Sequence, residues 1–570
     1  MQLRVSIGTL VLLGALFVAH AQQEFATLVL RNGKIVTVDE RLPLGQAIAV
    51  RGDRILAVGS NDEIQRYITS STQVIDLAGK LAIPGFIEGH GHFLGIGQAK
   101  MILDLMNVKT WDEIVIRVKE AAAKAKPGEW ILGRGWHQEK WEKVPQPNVE
   151  GFPTHASLSA VSPHNPVLLT HASGHAGFAN AKALELAGIT SKTPDPKGGE
   201  ILKDPNGNPT GLLRETAQDL VRAVYRASRA GMSQSEIEAE VRRQAELAAQ
   251  ECLSKGITSF QDAGSSFSVI DVLRKLADEG NLPMRLWVMI RANNQELARN
   301  LARYKMIGYG NNHLTVRAIK WSIDGALGPR GAWLLEPYSD LPTSTGLNTA
   351  SIEDVTESAR LALEHGYQLC VHAIGDRANR EVLNIFEKVF SAHPDTKNVR
   401  WRIEHAQHLH PDDIPRFGKL GVIASMQGVH CTSDAVFVPA RLGPKRSEEG
   451  AYVWQKLMKS GAIVTNGTDA PVEDVSPIAS FYASVTRRLA DGSTFYPDQR
   501  MTREEALKSY TLNCAYAAFE EDLKGSLTPG KLADITILSK DILTIPEEEI
   551  LTTEVVYTIV GGKIAYRKRR

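Results

Sequence analysis

The sequence predicts an α/β protein: a (β/α)8 barrel of the TIM type with a small β-sandwich domain formed by both chain ends. Three observations predict it. Eight short apolar runs are spread from residue 81 to 470, with helical patterns between the later seven. Polar residues able to bind a metal close several of those runs. Short β-patterns at both ends of the chain each hold half a hydrophobic core.

The chain opens with "MQLRVSIGTLVLLGALFVAHAQQ". Arg4 is a short positive region, Val5 to Val18 is apolar, and Ala19-His20-Ala21 fits a small-x-small cleavage site. Residues 1–21 therefore read as a secretory signal peptide. The apolar run is too short to span a membrane comfortably, and no stop-transfer cluster follows it. The expected mature protein is exported, periplasmic or secreted, with no membrane attachment after cleavage.

Residues 26–81 read as short strands, in "TLVLRNGKIVTVD" and "AIAVRGDRILAVG", each interrupted by a turn at Asn-Gly or Gly-Asp. Residues 525–570 repeat the style in "LADITILSKD" and "VVYTIVGGKIAYR". Neither piece buries a core alone, so one sandwich built from both is expected.

The barrel is expected over residues 82–524. Its strands are read in "LAIPGFIEGH", "GITSFQDAG", "MRLWVMI", "VRAIKWSIDG", "YQLCVHAIG", "RWRIEHAQ", "GVIASMQG" and "AIVTNGTDA". Strands alternating with helices imply a parallel sheet. One helix is well signalled: Ser351 is its N-cap, Asp354 sits at the capping-box position and Gly366 stops it. Eight such units close into a barrel; an open doubly wound sheet is the alternative and would gather its site at one switch point. Residues from about 100 to 250 break the repeat and read as an insertion over the catalytic face.

Lys plus Arg and Asp plus Glu are 65 each, which argues against nucleic acid or an acidic membrane surface as the main partner. The basic "YRKRR" end reads as a solvated tail. Four cysteines, Cys252, Cys370, Cys431 and Cys514, form no C-x-x-C pattern and read as buried thiols. The sequence is compatible with a homo-oligomer.

The polar strand ends carry the chemistry. His90 and His92 end the first strand, one residue apart, so on an extended chain both imidazoles point the same way. Asp262 ends the second strand, Lys320 lies in the fourth, His372 in the fifth, His405 in the sixth and Asp469 in the eighth. Each has a plainer reading alone: a hydrogen-bonded core histidine, a paired lysine, a turn-capping aspartate. Together they place nitrogen and oxygen donors at the barrel mouth, where the C-terminal strand ends converge. That chemistry suits zinc or a similar divalent ion.

The motifs "PGFIEGHGH", "VRAIKWSIDGALGPRGAWLLEPYSD", "VHAIGDRA", "RIEHAQ", "NGTDAPV" and "GSLTPGKLADITILSKD" extend from about residue 28 to 566 in their surroundings. In these the sequence resembles the amidohydrolase superfamily, in its family-3 branch with N-substituted formamide deformylase-like enzymes. The resemblance implies that His90, His92, His372 and His405 are metal ligands. It implies that Asp469 is the eighth-strand aspartate, ligand and proton shuttle. Lys320 matches the place where relatives can carry a carboxylated lysine bridging two metals; an unmodified lysine holding substrate is the alternative. One or two zinc ions are the implied cofactor. Gly174, His175 and Asn180 match a Gly-His followed by Asn, which puts His175 at the pocket, with structural hydrogen bonding as the other reading.

Weaker candidates follow from the residues. Arg330, after the fourth strand, could bind a substrate carboxylate or pair with Glu336 or Asp340. Gln427, ending the seventh strand, could contact substrate. Trp136, His137 and Trp141 could form an aromatic wall or the insertion's own core; His171 has no assigned role. His408 and His410 step away from the strand end and are expected to be exposed.

The expected function is metal-dependent hydrolysis of a carbon–nitrogen bond in a small amide, formamide or cyclic amide. The competing readings are ester or phosphoester hydrolysis at the same site, and a metal-less scaffold. Filled ligand positions argue against the scaffold.

Overall fold

The computed structural model describes residues 25–395 and 398–569. The leader expected over residues 1–21 lies outside them. Among the described residues, no helix is long and apolar enough to cross a membrane.

The eight apolar runs form the parallel strands of a barrel. They are β1 (Phe86–Gly91), β2 (Ile257–Ser265), β3 (Arg285–Ile290), β4 (Leu314–Ser322), β5 (Gln368–Ala373), β6 (Arg402–His405), β7 (Ile423–Gln427) and β8 (Val464–Gly467). Each pairs in parallel with the next, from β1 to β8. Both faces are covered, which is why the runs are almost continuously apolar rather than alternating. The seam between β8 and β1 closes on glycine. A Cβ on Gly89 would lie 2.4 Å from the Asn466 carbonyl oxygen, and one on Gly467 would lie 2.7 Å from the His90 nitrogen. The Asp469 N–H donates to the His90 carbonyl across this seam at 2.8 Å.

The run read as one first strand serves two sheets. Leu81–Pro84 pairs with Ile535–Leu538, and only then does Phe86–Gly91 enter the barrel. Gly85 makes the break, because a Cβ there would lie 2.2 Å from Thr258 Oγ1. Strands from both ends of the described chain share this six-stranded sheet, in the order 563–567, 555–560, 535–538, 81–84, 34–36 and 44–45. A four-stranded sheet of 54–59, 47–51, 28–31 and 73–76 lies beside it. Leu28, Ile48 and Val50 of the one pack with Ile535, Ile537 and Ile559 of the other. "AIAVRGDRILAVG" is a hairpin. "TLVLRNGKIVTVD" is not: its halves enter different sheets, with Asn32 in the left-handed region at φ 57°. A buried bidentate pair, Arg285 to Asp534 at 2.7 and 2.9 Å, joins the start of β3 to the chain's last third.

The insertion has its own six-stranded sheet, built between Leu103 and Glu215, and its own core around Trp136, Phe152, Phe178 and Leu212. Trp136 stacks on Trp141 at 5.9 Å inside that core, so these two are packing residues and not a pocket wall. The insertion is shorter than expected. The helix Gln234–Ser254 belongs to the barrel: Ala245, Ala248, Ala249, Cys252 and Leu253 enter the barrel core. Small residues at helical spacing give that helix a flat face. A Cβ on Gly97 would lie 1.9 Å from the Gln244 carbonyl oxygen, so the neighbouring helix Phe93–Ala99 can approach only at glycine.

The helix Ile352–His365 begins and ends as read, with Ser351 accepting from the Asp354 N–H and Gly366 at φ 64°. All four cysteines are buried free thiols.

Candidate metal centre

β1 delivers His90 and His92 to the barrel mouth, and the turn after β8 delivers Asp469. His90 is fully buried, and its Nδ1 donates to the Glu404 carboxylate. That bond leaves Nε2 as the free nitrogen. His90 Nε2 lies 3.5 Å from Asp469 Oδ1, and His92 Nε2 lies 3.2 Å from the same oxygen. Ligand atoms of the three residues lie within 4.8 Å of one another. Burial opposes charge on Asp469, yet the imidazoles of His90 and His92 beside it hold its carboxyl well below the usual range. Asp469 adopts φ 56° and His405 φ 76°. A non-glycine residue in the left-handed region costs about 1–3 kcal/mol, a strain that concentrates at functional sites.

His372 in β5 and His405 at the end of β6 face the same space. The His405 ring centroid lies 4.6 Å from that of His90 and 4.4 Å from that of His372. Burial, joined by nearby positive charge, keeps both imidazoles neutral far below their ordinary range, the state a metal ligand requires. Lys320 in β4 lines the pocket, and burial brings its ammonium down to about 8. Asp262 does not join the group: its oxygens accept from the Phe93 N–H at 2.9 Å and from Ser265 Oγ at 2.7 Å.

The donor set fits a divalent metal. His90 Nε2, His372 Nε2 and Asp469 Oδ1 are buried, and none has a hydrogen-bond partner among the described residues. Unpaired buried polar atoms are costly and call for a partner. The two imidazoles of His90 and His92 and the Asp469 carboxylate, within ligand range of one another, suit zinc or a related ion.

Above the centre is a pocket of about 400 Å³ between barrel and insertion. His175 reaches it from the insertion, its ring 4.8 Å from that of His372. Glu215 accepts from His175 Nδ1 at 2.7 Å. Burial disfavours the charged form of His175, but Glu215 outweighs this and lifts the imidazole above its usual range. Asn180 stays behind, buried, accepting from the Ala183 N–H as a helix cap. His171 is held by Ser173 and Gln138.

Two expected substrate contacts are not at the pocket. Arg330 pairs with Asp340 at 3.0 Å and is absent from the pocket wall, because the loop after β4 folds back on itself. Gln427 is buried, and its Oε1 accepts from His405 Nδ1 at 2.8 Å. The bond fixes the orientation of the His405 ring. Gln427→Leu is therefore expected to weaken metal binding by about 10–100-fold, the usual cost of losing such a partner. Metal titration and KM measured on the same variant check this; an unchanged metal affinity with a raised KM would restore the substrate contact. His408, expected to be exposed, is buried instead, with burial pushing its imidazole down to about 3, because the chain after β6 turns inward under Tyr452. His410 is partly exposed and caps a short turn at Pro411.

Sequence reasoning missed Glu404, Asp324 and Glu215. Glu404 shares the inward face of β6 with Arg402, whose guanidinium meets it at 2.7 Å. Alternation would put His405 on the other face, but its positive φ turns it to the mouth. Asp324 accepts from the N–H groups of Trp333, Ile374 and Gly375 at 2.8 to 3.0 Å. Its Oδ1 lies 3.5 Å from His372 Nε2. Burial pushes its carboxyl up to about 7. The available signal was an acid next to a strand-end motif, in "RIEH" and "SIDG".

Fold and site together define a (β/α)8 barrel with imidazole and carboxylate groups at its mouth that suit a divalent metal. The chain belongs to the amidohydrolase family, whose model matches residues 73–566. It is 34% identical to protein LONG AFTER FAR-RED 3 of Arabidopsis thaliana, over 95% of this chain and 92% of that protein. It is 32% identical to the putative amidohydrolase YtcJ of Bacillus subtilis, over 94% and 99%. It is 29% identical to the N-substituted formamide deformylase of Arthrobacter pascens, over 95% and 98%. Among solved structures, an uncharacterized metal-dependent hydrolase from Pyrococcus horikoshii superposes with a TM-score of 0.72 at 26% identity, covering 91% of this chain and 99% of that one.

Proposed function

We propose that the protein hydrolyses a carbon–nitrogen bond in a small amide, formamide or cyclic amide, using one or two divalent metal ions, zinc foremost. The observation that carries this is the group His90, His92 and Asp469, with ligand atoms within 4.8 Å of one another and with His90 Nε2 and Asp469 Oδ1 unpartnered, beneath an open pocket at the barrel mouth. The similarity to an N-substituted formamide deformylase supports the choice of bond.

A metal bound there supplies Lewis acidity, bringing the pKa of water down to about 7 and polarising a carbonyl. The remaining work belongs to side chains. Asp469, held as a carboxylate, accepts the proton of the attacking water and returns it to the departing nitrogen. An amine leaves only when protonated, so a shuttle near the reacting carbon is needed. His175, whose charged form Glu215 favours, can in that form donate from Nε2 to the substrate carbonyl while Nδ1 stays on Glu215. The insertion that carries His175 also forms one wall of the pocket, with Arg134, Ser173 and Thr216. Lys320, with its ammonium near 8, has a neutral amine fraction that can take up CO2 to form the carboxylated ligand. Stimulation of the metal-loaded protein by bicarbonate tests that form.

The substrate is read as carrying an acidic group. Arg222 and Arg291 line the pocket, and neither has a carboxylate in ion-pair range among the described residues. Asp219 and other carboxylates act on the two guanidinium groups only at longer range, which leaves them able to pair with a substrate carboxylate.

A hydrolysis screen decides. N-formyl, N-acyl and cyclic amides, each with and without a carboxylate, are offered to zinc-, manganese- and iron-loaded protein beside matched esters and phosphoesters. Amine release from amides, faster with the carboxylate, is the expected result. Turnover of esters or phosphoesters alone would overturn the reading. The export proposal rests on residues 1–21 and expects native material to begin at Gln22; N-terminal sequencing that found Met1 in a cytosolic fraction would refute it.

A further inference from the structure

A narrow recess of about 40 Å³ runs off the main pocket. His175, His372, His405 and Asp469 line both spaces, whereas Arg222 and Arg291 line the main pocket alone. The recess and the two guanidinium groups therefore lie on different sides of the reacting centre. Nothing in the proposed reaction uses the outer part of the recess.

Three stretches far apart in the chain build its wall. Residues 326–329 come from the loop after β4, His137 from the insertion, and Phe437 from the turn between the helices Gly428–Asp434 and Val438–Leu442. The rings of His137 and Phe437 stack at 5.4 Å with 21° between their planes, and both are buried. Burial keeps the His137 imidazole uncharged, far below its ordinary range, so the stacked pair presents a flat face without charge. Gly328 meets that face: a Cβ on it would lie 3.2 Å from His137 Nε2 and 3.3 Å from Phe437 Cζ. The Gly328 carbonyl accepts from the buried Arg441 at 3.1 Å, which fixes the loop in place. Two charged groups on the recess are already engaged. Lys140 pairs with Glu473 at 3.1 Å, and Asp434 accepts from the Tyr452 hydroxyl at 2.6 Å.

The order of release decides which half of an amide enters. As the C–N bond breaks, water gives its hydroxyl to the acyl carbon and a proton to the nitrogen. The amine then departs and the acid stays to the end. The wide main pocket of about 400 Å³ suits the departing amine, and the narrow recess suits the acyl group. Arg222 and Arg291 then meet a carboxylate on the amine half. A water-sized group needs about 10–15 Å³ of such space, so the recess has room for about three.

We propose that the recess receives the acyl group, that Gly328 and the stacked His137 and Phe437 limit it to a chain of about three carbons, and that the substrate is a short-chain N-acyl amino acid. The inference deepens the hydrolase reading and rests on it.

The test uses the metal-loaded full chain and the N-formyl, N-acetyl, N-propionyl, N-hexanoyl and N-benzoyl derivatives of alanine, with those of phenylalanine to vary the amine. The wild type should accept the first three acyl groups and reject benzoyl. Gly328→Ala adds one methyl group to the recess at a position whose φ lies outside the left-handed region. It should lower kcat/KM for propionyl relative to formyl by about 10–200-fold, the usual worth of one methylene in a tight apolar space. Phe437→Leu removes a ring from the wall and should raise hexanoyl relative to formyl. Loss of folded protein alone would shift neither ratio. The same acyl profile in all three proteins would overturn the inference, as would shifts that follow the amine instead of the acyl group. If other amides turn over but none of these does, the inference falls alone. If no amide turns over, the hydrolase reading falls with it.

Discussion

His92→Ala is expected to lose bound metal and turnover together. His92 Nε2 lies 3.2 Å from Asp469 Oδ1 and takes no part in the barrel core, since its side chain faces the pocket. Removing it deletes one of the three donors grouped there and leaves His90 and Asp469 of that group. The loss should be read as metal per protein after dialysis, beside the rate on the best amide from the screen. Melting should change little, because no packed surface is removed. A His92→Ala protein with full metal and full turnover would make the His-x-His pair a structural feature and end the mechanism proposed above.

Asp469→Asn is expected to abolish turnover in a protein that stays folded. The change keeps the side chain's shape and an oxygen that can still ligate weakly. It removes the carboxylate that accepts and returns the proton. Losing a positioned proton carrier typically costs about 10²–10⁴-fold in rate. Turnover should therefore fall further than metal content, whereas in His92→Ala the two fall in step. Comparing the ratio of activity to bound metal in the two variants separates a ligand from a shuttle. A ratio for Asp469→Asn equal to that of the wild type would remove the proton-transfer role and leave Asp469 a ligand only.

Much of the fold was legible because its signals are local. Each barrel strand is a short apolar run bounded by turn residues, and the helices between them carry ordinary caps, as at Ser351 and Gly366. Two boundaries were misplaced. Gly85 divides a run that looks continuous, since apolar character cannot say which sheet a strand joins. The helix Gln234–Ser254 looked like part of the insertion, since small residues at helical spacing do not name the surface they pack on.

What the sequence alone determined was the inventory of chemistry at the barrel mouth: His90, His92, Lys320, His372, His405 and Asp469, each placed by its position at or near a strand end. That placement follows from periodicity and from the convergence of strand ends in a closed parallel barrel. The tertiary structure decided which groups serve these residues. Glu404 meets His90 across 314 residues of chain, and Gln427 meets His405 across 22. Arg330 turned to Asp340, and Gln427 came to hold the His405 ring. Such pairings depend on sheet register, on the left-handed turn at His405 and on how the insertion seats over the barrel. None of these is encoded in any short window of sequence, because each arises only when residues distant along the chain are brought within a few ångströms.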